Sequence, residues 1–397
     1  LEREESVIYT YLPTSFRFGS EGFPFLVNAN FITDAGRQQL HKDSEWNKLI
    51  FSKIPSEFLL WIKEISSAYR NYWEVLPEKS YGRSNALETI YAENMEKAIN
   101  EIAFIPSLKN SMDKLLASEA FMDRMSISAS ISVDALVYHI NRTYTRTFDA
   151  NNQIENVWKG SRILNSYGVF IFDKQKLKSL FEDKCAFESI TPEFNAKLIK
   201  FLFEYYSQNR SEQEELISVL QTTRFLLDES GVLCMPNELF FPSAYKEQND
   251  FAEDAKILDK DIYNAIDSNK RLIDWLALLG VESLSDITFI KKVICKSGYV
   301  IKENAIEVGR FLFAVNRKVD IFEEVGSYYL SEIKFLTKKG TLLDASSLYL
   351  SSVYNPVDDL EKVYDGDIYL SEEYCDTDYV EYGAFFRRFG VSDSVKL

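Results

Sequence analysis

The sequence predicts an α+β protein. Three observations lead there. Short aromatic-rich or alternating runs read as strands, longer stretches with apolar residues at three- and four-residue steps read as helices, and a set of landmarks recurs about 110 residues apart. The chain has 397 residues, enough for two or three domains with sizeable cores. Apolar residues make up 46% of it, which fits a globular protein and argues against disorder. The 29 Phe and 23 Tyr supply a well-packed interior or adhesive surfaces.

Residues 6–12 alternate apolar and polar and stop at Pro13, the pattern of a boundary strand. Gly19 and Gly22 mark a loop. The stretch from Phe23 to Leu40 organises the amino-terminal module. An extended piece through Phe25 and Val27 bends at Asn28-Ala29-Asn30, and a second short piece holds Phe31 and Ile32. A turn through Asp34-Ala35-Gly36 then presents Arg37. Trp46, Leu49, Ile50, Ile54, Phe58, Leu59 and Ile62 form one face of an amphipathic helix, with Pro55 opening a turn or kinking it. A second helix spans Ala86 to Ile102, with Leu87, Ile90, Tyr91, Met95 and Ile99 on its inner face.

From residue 102 the chain reads as an internal repeat. Phe225-Leu226-Leu227, Gly231 and Leu239-Phe240-Phe241 match Phe335-Leu336, Gly340 and Leu348-Tyr349-Leu350, with both glycines and second strands 109 residues apart. Leu279-Gly280-Val281 recurs as Phe389-Gly390-Val391, 110 residues on, with Trp275 matching Phe385. Phe201-Leu202-Phe203 recurs as Phe311-Leu312-Phe313 at the same offset of 110. An earlier copy shows Phe104-Ile105-Pro106, Glu119-Ala120-Phe121-Met122 and Tyr167-Gly168-Val169. A glycine at a helix end supplies the left-handed residue of a C-cap, and the apolar neighbour packs back on the helix. The expected modules are 1–101, 102–222, 223–332 and a truncated 333–397.

The charge balance, 61 acids against 45 bases for a net −16, repels phosphate backbones and disfavours nucleic acid as a partner. Arg142, Arg146 and Lys159 offer only a weak basic patch. Cys185, Cys234, Cys295 and Cys375 lie at least 49 residues apart, too far for ligand spacing, so free thiols in a reducing, cytoplasmic setting are expected. No apolar run spans a membrane, and the charged start LEREES lacks a signal-peptide core. The chain opens on Leu1 and stops at Leu397 just after a patterned segment, so it reads as a piece of a longer polypeptide.

Chemistry has little to work with. There are two histidines, His41 and His139, and His139 reads as core or strand surface among Val137, Tyr138 and Ile140. Phosphate-binding glycine loops and the nucleophile-elbow motif are absent from the sequence. Asp358-Asp359 and Asp365-Gly366-Asp367 could bind a divalent cation, as a hydrolase or nuclease would require, or could be solvated turn acids. No catalytic residue and no metal ligand is assigned.

The residues Tyr11-Leu12-Pro13, Pro24, Val27-Asn28, Phe31, Arg37, Leu40 and Trp46-Asn47 resemble the sacsin repeat segment. That segment follows a GHKL-type ATP-binding domain in sacsin and bacterial sacsin-like proteins. Leu26, Ala29, Gly36 and Gln38 depart from the pattern, standing where the family often has His, Gly, Asn and a second Arg. The resemblance covers 12–62 and implies a module like the middle domain of the ninety-kilodalton heat-shock chaperone. There a comparable arginine reaches the γ-phosphate of ATP held by the preceding domain, and Arg37 is the matching residue here. A cation at a terminal phosphate favours ATP over ADP.

The resemblance thus implies a non-catalytic scaffold that couples an upstream ATPase to client or partner proteins, chaperone-like or part of a bacterial defence system. ATP would bind the parent protein, with no cofactor in this stretch. The alternative is a nucleotide-independent protein-interaction array, since tandem α+β units expose extended surfaces.

Overall fold

The computed structural model describes residues 8–16, 18, 23–77, 85–183, 185–243, 245 and 254–394. Ser6, Val7, Gly19 and Gly22, which the sequence puts in a strand and a loop, lie outside them. The fold is α+β. The chain divides into two compact units, Leu1–Leu202 and Phe203–Leu397.

The first unit opens on a three-stranded sheet of order β2-β1-β3, made of β1 (Ile8–Thr10), β2 (Leu12–Pro13) and β3 (Val27–Asn28). The expected single strand through residue 12 is instead a tight hairpin. Tyr11 turns it with φ 59°, and Pro13 pairs opposite Tyr9. Pro13 lies on an edge strand, where its missing N–H breaks no ladder. β3 runs parallel to β1 and is shorter than the sequence suggested.

Two helices cover this sheet's core. In α1 (Glu45–Ile65) the Ser44 hydroxyl accepts from the Asn47 N–H at 3.4 Å, and in α2 (Ala86–Glu101) the Asn85 side chain accepts from the Glu88 N–H at 3.1 Å. Both are N-caps of the usual chemistry. α1 buries Phe51, Pro55, Phe58, Leu59 and Ile62, and it packs against the Leu87, Tyr91, Met95 and Ile99 face of α2. It runs through Pro55, which is buried, as one helix, so the expected turn does not form there. The expected apolar face is also rotated at its start. Trp46 and Leu49 are 49% and 51% exposed, and Asn47 takes the inward position instead. Aromatic rings tie the segment before β3 to the helices: Phe18–Phe23 and Phe25–Phe58 stack at 4.2 Å, and Phe18 meets Tyr91 edge-on at 4.7 Å.

The rest of this unit comprises the hairpin β4 (Ile105–Pro106) and β5 (Lys114–Leu115), β6 (Phe121–Asp123), α3 (Ser128–Ile131) and α4 (Val133–Tyr144). Next come β7 (Gln153–Ile154), α5 (Ser161–Tyr167), β8 (Phe170–Phe172), α6 (Lys174–Glu182) and α7 (Pro192–Gln208), within which the unit boundary falls. β6 lies between β7 and β8, parallel to both.

The second unit holds α8 (Gln213–Thr222), the hairpin β9 (Leu226–Leu227) and β10 (Leu233–Cys234), β11 (Phe240–Phe241), α9 (Lys260–Ile266), α10 (Lys270–Leu279) and β12 (Glu282–Ser283). It continues with α11 (Asp286–Phe289), α12 (Ala305–Asn316), α13 (Ser327–Leu330), the hairpin β13 (Lys334–Leu336) and β14 (Leu342–Asp344), and α14 (Tyr379–Phe389).

One element order occurs at three places. A hairpin (β4–β5, β9–β10, β13–β14) leads into a single 3-10 turn at Ala117–Glu119, Pro236–Glu238 or Ala345–Ser347. An extended segment comes next, then a helix ended by glycine (α5, α10, α14), then a second extended segment paired parallel to the first. In the third occurrence the expected strand Leu348-Tyr349-Leu350 reduces to isolated bridges from Tyr349 to Tyr369 and Ser392. Phe104, Phe225 and Phe335 are all buried at the start of these hairpins.

The glycines Gly168, Gly280 and Gly390 take φ of 114°, 119° and 102°. The N–H of the following valine returns to the last helical turn in each case: Val169 to Leu164 O, Val281 to Leu276 O and Val391 to Phe386 O, at 3.2, 3.1 and 3.2 Å. This is the Schellman arrangement, and all three valines are buried. At Gly280 a Cβ would also meet Asn237 at 3.3 Å. Gly280→Ala is therefore expected to cost about 1–2 kcal/mol and lower the melting temperature by about 2–6 °C in a thermal scan.

Candidate functional site

Arg37 sits at the tip of a small hairpin between Phe31 and Leu40, whose side chains are 6% and 3% exposed and anchor its two ends. The hairpin is closed by the Thr33–Leu40 bridge, by Asp34 N–H to Gln39 O at 3.0 Å and by His41 N–H to Ile32 O at 3.1 Å. Asp34 builds the tip. Its carbonyl accepts from the Arg37 N–H at 3.0 Å, and its carboxylate accepts from the N–H groups of Gln38 and Gln39 at 2.9 and 3.3 Å. An aspartate folding back on its own turn is what Asp-Ala-Gly predicts. Ser15 N–H braces the tip from outside by donating to Gln38 O at 2.8 Å.

Arg37 itself has φ 55°, a left-handed conformation uncommon for a long side chain. It is exposed, and its guanidinium has no hydrogen-bond or ion-pair partner among the described residues. It stands seven residues before the Ser44 cap of α1, on the hairpin rather than on the helix's first turn.

Asn47 holds this hairpin to α1. It is 0% exposed. Its Oδ1 accepts from the Ile32 N–H at 2.8 Å, and its Nδ2 donates to Ile32 O at 2.7 Å and to His41 O at 2.9 Å. One side chain therefore satisfies three backbone groups on both arms of the hairpin, which fixes the orientation of the amide. Trp46 adds a fourth tie, Nε1–H to Asn30 O at 2.7 Å. The sequence marked Asn47 only through the resemblance, because an asparagine on an apolar helix face carries no signal of the contact it makes.

A second constellation surrounds His139, which the sequence put in the core or on a strand surface; its partners escaped that reading. His139, on α4, is 0% exposed. Its Nδ1 lies 2.9 Å from Asp183 Oδ2, and its Nε2 lies 3.2 Å from Ser179 Oγ. Arg142 Nη1 reaches Asp183 Oδ1 at 3.1 Å, as does the Cys185 N–H. The order Ser–His–Asp matches a hydrolase triad, but its surroundings do not. Ser179 lies inside α6, donates to Lys176 O at 2.7 Å and is 2.8 Å from the Tyr144 hydroxyl. The network bonds α4 to the end of α6. Burial pushes the Asp183 carboxyl up, but the bonds from His139, the Cys185 amide and Arg142 outweigh it and hold it below the usual carboxylate range.

The remaining candidates are plain. Asp365 pairs with Lys339 at 2.8 Å, which holds its carboxyl low, and Asp367 accepts from Thr341. Asp359 pairs with Lys362 at 2.9 Å. Among the described residues no three His, Cys, Asp or Glu side chains group as metal ligands, and no helix is long and apolar enough to cross a membrane. All four cysteines are free, and burial pushes the Cys234 and Cys295 thiols up to about 11 and 12. Arg142 of the weak basic patch is taken up by Asp183, and Arg146 leans over the Phe170 ring at 5.7 Å.

Comparison of the chain with protein-family models, curated proteins and solved structures gives no match.

Proposed function

We propose that this chain is a non-catalytic middle and scaffold region of a sacsin-like, GHKL-ATPase-linked protein, with Arg37 lent to the phosphate of ATP in a preceding domain. One observation carries the reading: a braced hairpin holds an exposed arginine, free of partners among the described residues, in a left-handed conformation. Fixed backbone and an unpaired guanidinium suit an anion brought in from outside, since less freedom is lost on contact. The first module then acts like a heat-shock chaperone middle domain, in the cytoplasm, and couples nucleotide to client or partner proteins.

In the full-length protein, Arg37→Ala should lower ATP turnover about ten- to a hundredfold, the loss of one charge-assisted hydrogen bond of about 1.5–3 kcal/mol. The circular dichroism spectrum should be unchanged. Wild-type turnover would remove Arg37 from the mechanism.

A second reading, a nucleotide-independent interaction array, is favoured by the threefold element order, which supports tandem α+β units. A pull-down in which residues 100–397 hold a partner without nucleotide, with undiminished binding after Arg37→Ala, would support it.

A further inference from the structure

We infer that Asn47 is the positioning residue for Arg37, making the hairpin and α1 move as one body. The inference rests on the reading of Arg37 as a phosphate contact. A hairpin attached only through its ends pivots, and a tip arginine on a pivot loses its aim. Here the single buried amide bonds Ile32 on one arm and His41 on the other, at 2.7–2.9 Å. Both arms are therefore fixed to the first turn of α1, and Trp46 fixes the approach to the hairpin at Asn30. Opposite the clamp, Asp34 and Ser15 stiffen the tip. A displacement of Arg37 by an anion reaches α1 through Asn47, and a tilt of α1 re-aims Arg37 by the same route. Asn47 touches no ligand and acts only through Arg37.

The test is a double-mutant cycle on the full-length protein, with Asn47→Ala, the milder Asn47→Ser, Arg37→Ala and the combined variants. ATP turnover and residue-resolved amide exchange are both read. Asn47→Ala should lower turnover several-fold and should add nothing in the Arg37→Ala background. The His41 N–H, which donates to Ile32 O at 3.1 Å, should exchange about tenfold faster in Asn47→Ala, and α2 should be unaffected. Asn47→Ser, which keeps a donor, should fall between. Equal loss of turnover in both backgrounds would show a merely structural role and overturn the inference. Unchanged turnover in Asn47→Ala, with Arg37→Ala impaired, would overturn it as well while sparing the reading of Arg37. Unchanged turnover in Arg37→Ala would overturn that reading and this inference together.

Discussion

Asp183→Ala should cost the first unit about 1–3 kcal/mol, because it takes from the ring of His139, sealed in the core, the carboxylate it bonds at 2.9 Å. His139→Ala should cost a comparable amount for a different reason, the emptied buried ring site, since Asp183 keeps Arg142 and the Cys185 N–H. The pH dependence separates this pair from ordinary packing. The Asp183 carboxyl titrates below its unfolded value of 3.8, so its contribution is complete above that pH. It is lost as the pH falls through the lower folded value. Urea unfolding between pH 2 and 7 should show the wild type losing stability below about pH 4, and Asp183→Asn should show a flatter profile there. Identical profiles would mean that the carboxylate is not engaged as the geometry indicates.

Phe104→Ala, Phe225→Ala and Phe335→Ala should each cost about 3–5 kcal/mol, the range for emptying a buried aromatic site. All three are at most 1% exposed. Phe335 shows what is lost: its ring lies 5.2 Å from Phe386, 5.0 Å from Phe389 and 6.0 Å from Tyr374. Phe104 meets Tyr167 edge-on at 6.1 Å. Hydrogen exchange localises the effects, with α2 losing protection in Phe104→Ala and α12 in Phe335→Ala. A loss below about 1 kcal/mol at any of the three would set that residue apart from the other two.

Much of this was legible in the residues. Helix periodicity located α1 and α2, because a buried stripe repeats every three or four positions whatever lies opposite. The helix-ending glycines were legible because only a left-handed residue closes those turns. The return strands Leu233–Cys234 and Leu342–Asp344 were missed, since two or three residues after a glycine carry too little alternation to register. The inward turn of Asn47 was hidden because burial of an amide depends on backbone groups 6 and 15 residues away. The bonds from His139 to Ser179 and Asp183, across 40 and 44 residues, leave no local trace at all.

Parallel pairing across a helix has a consequence for how the molecule tolerates change. Phe121 pairs with Phe170, Phe240 with Glu282 and Tyr349 with Ser392, so the partners joined by each arch are 49, 42 and 43 positions apart. Doubling an arch adds only about 0.6 kcal/mol of closure entropy. Added length in an arch is therefore cheap in closure entropy wherever it falls outside the arch's buried positions, such as Leu136, His139 and Ile140.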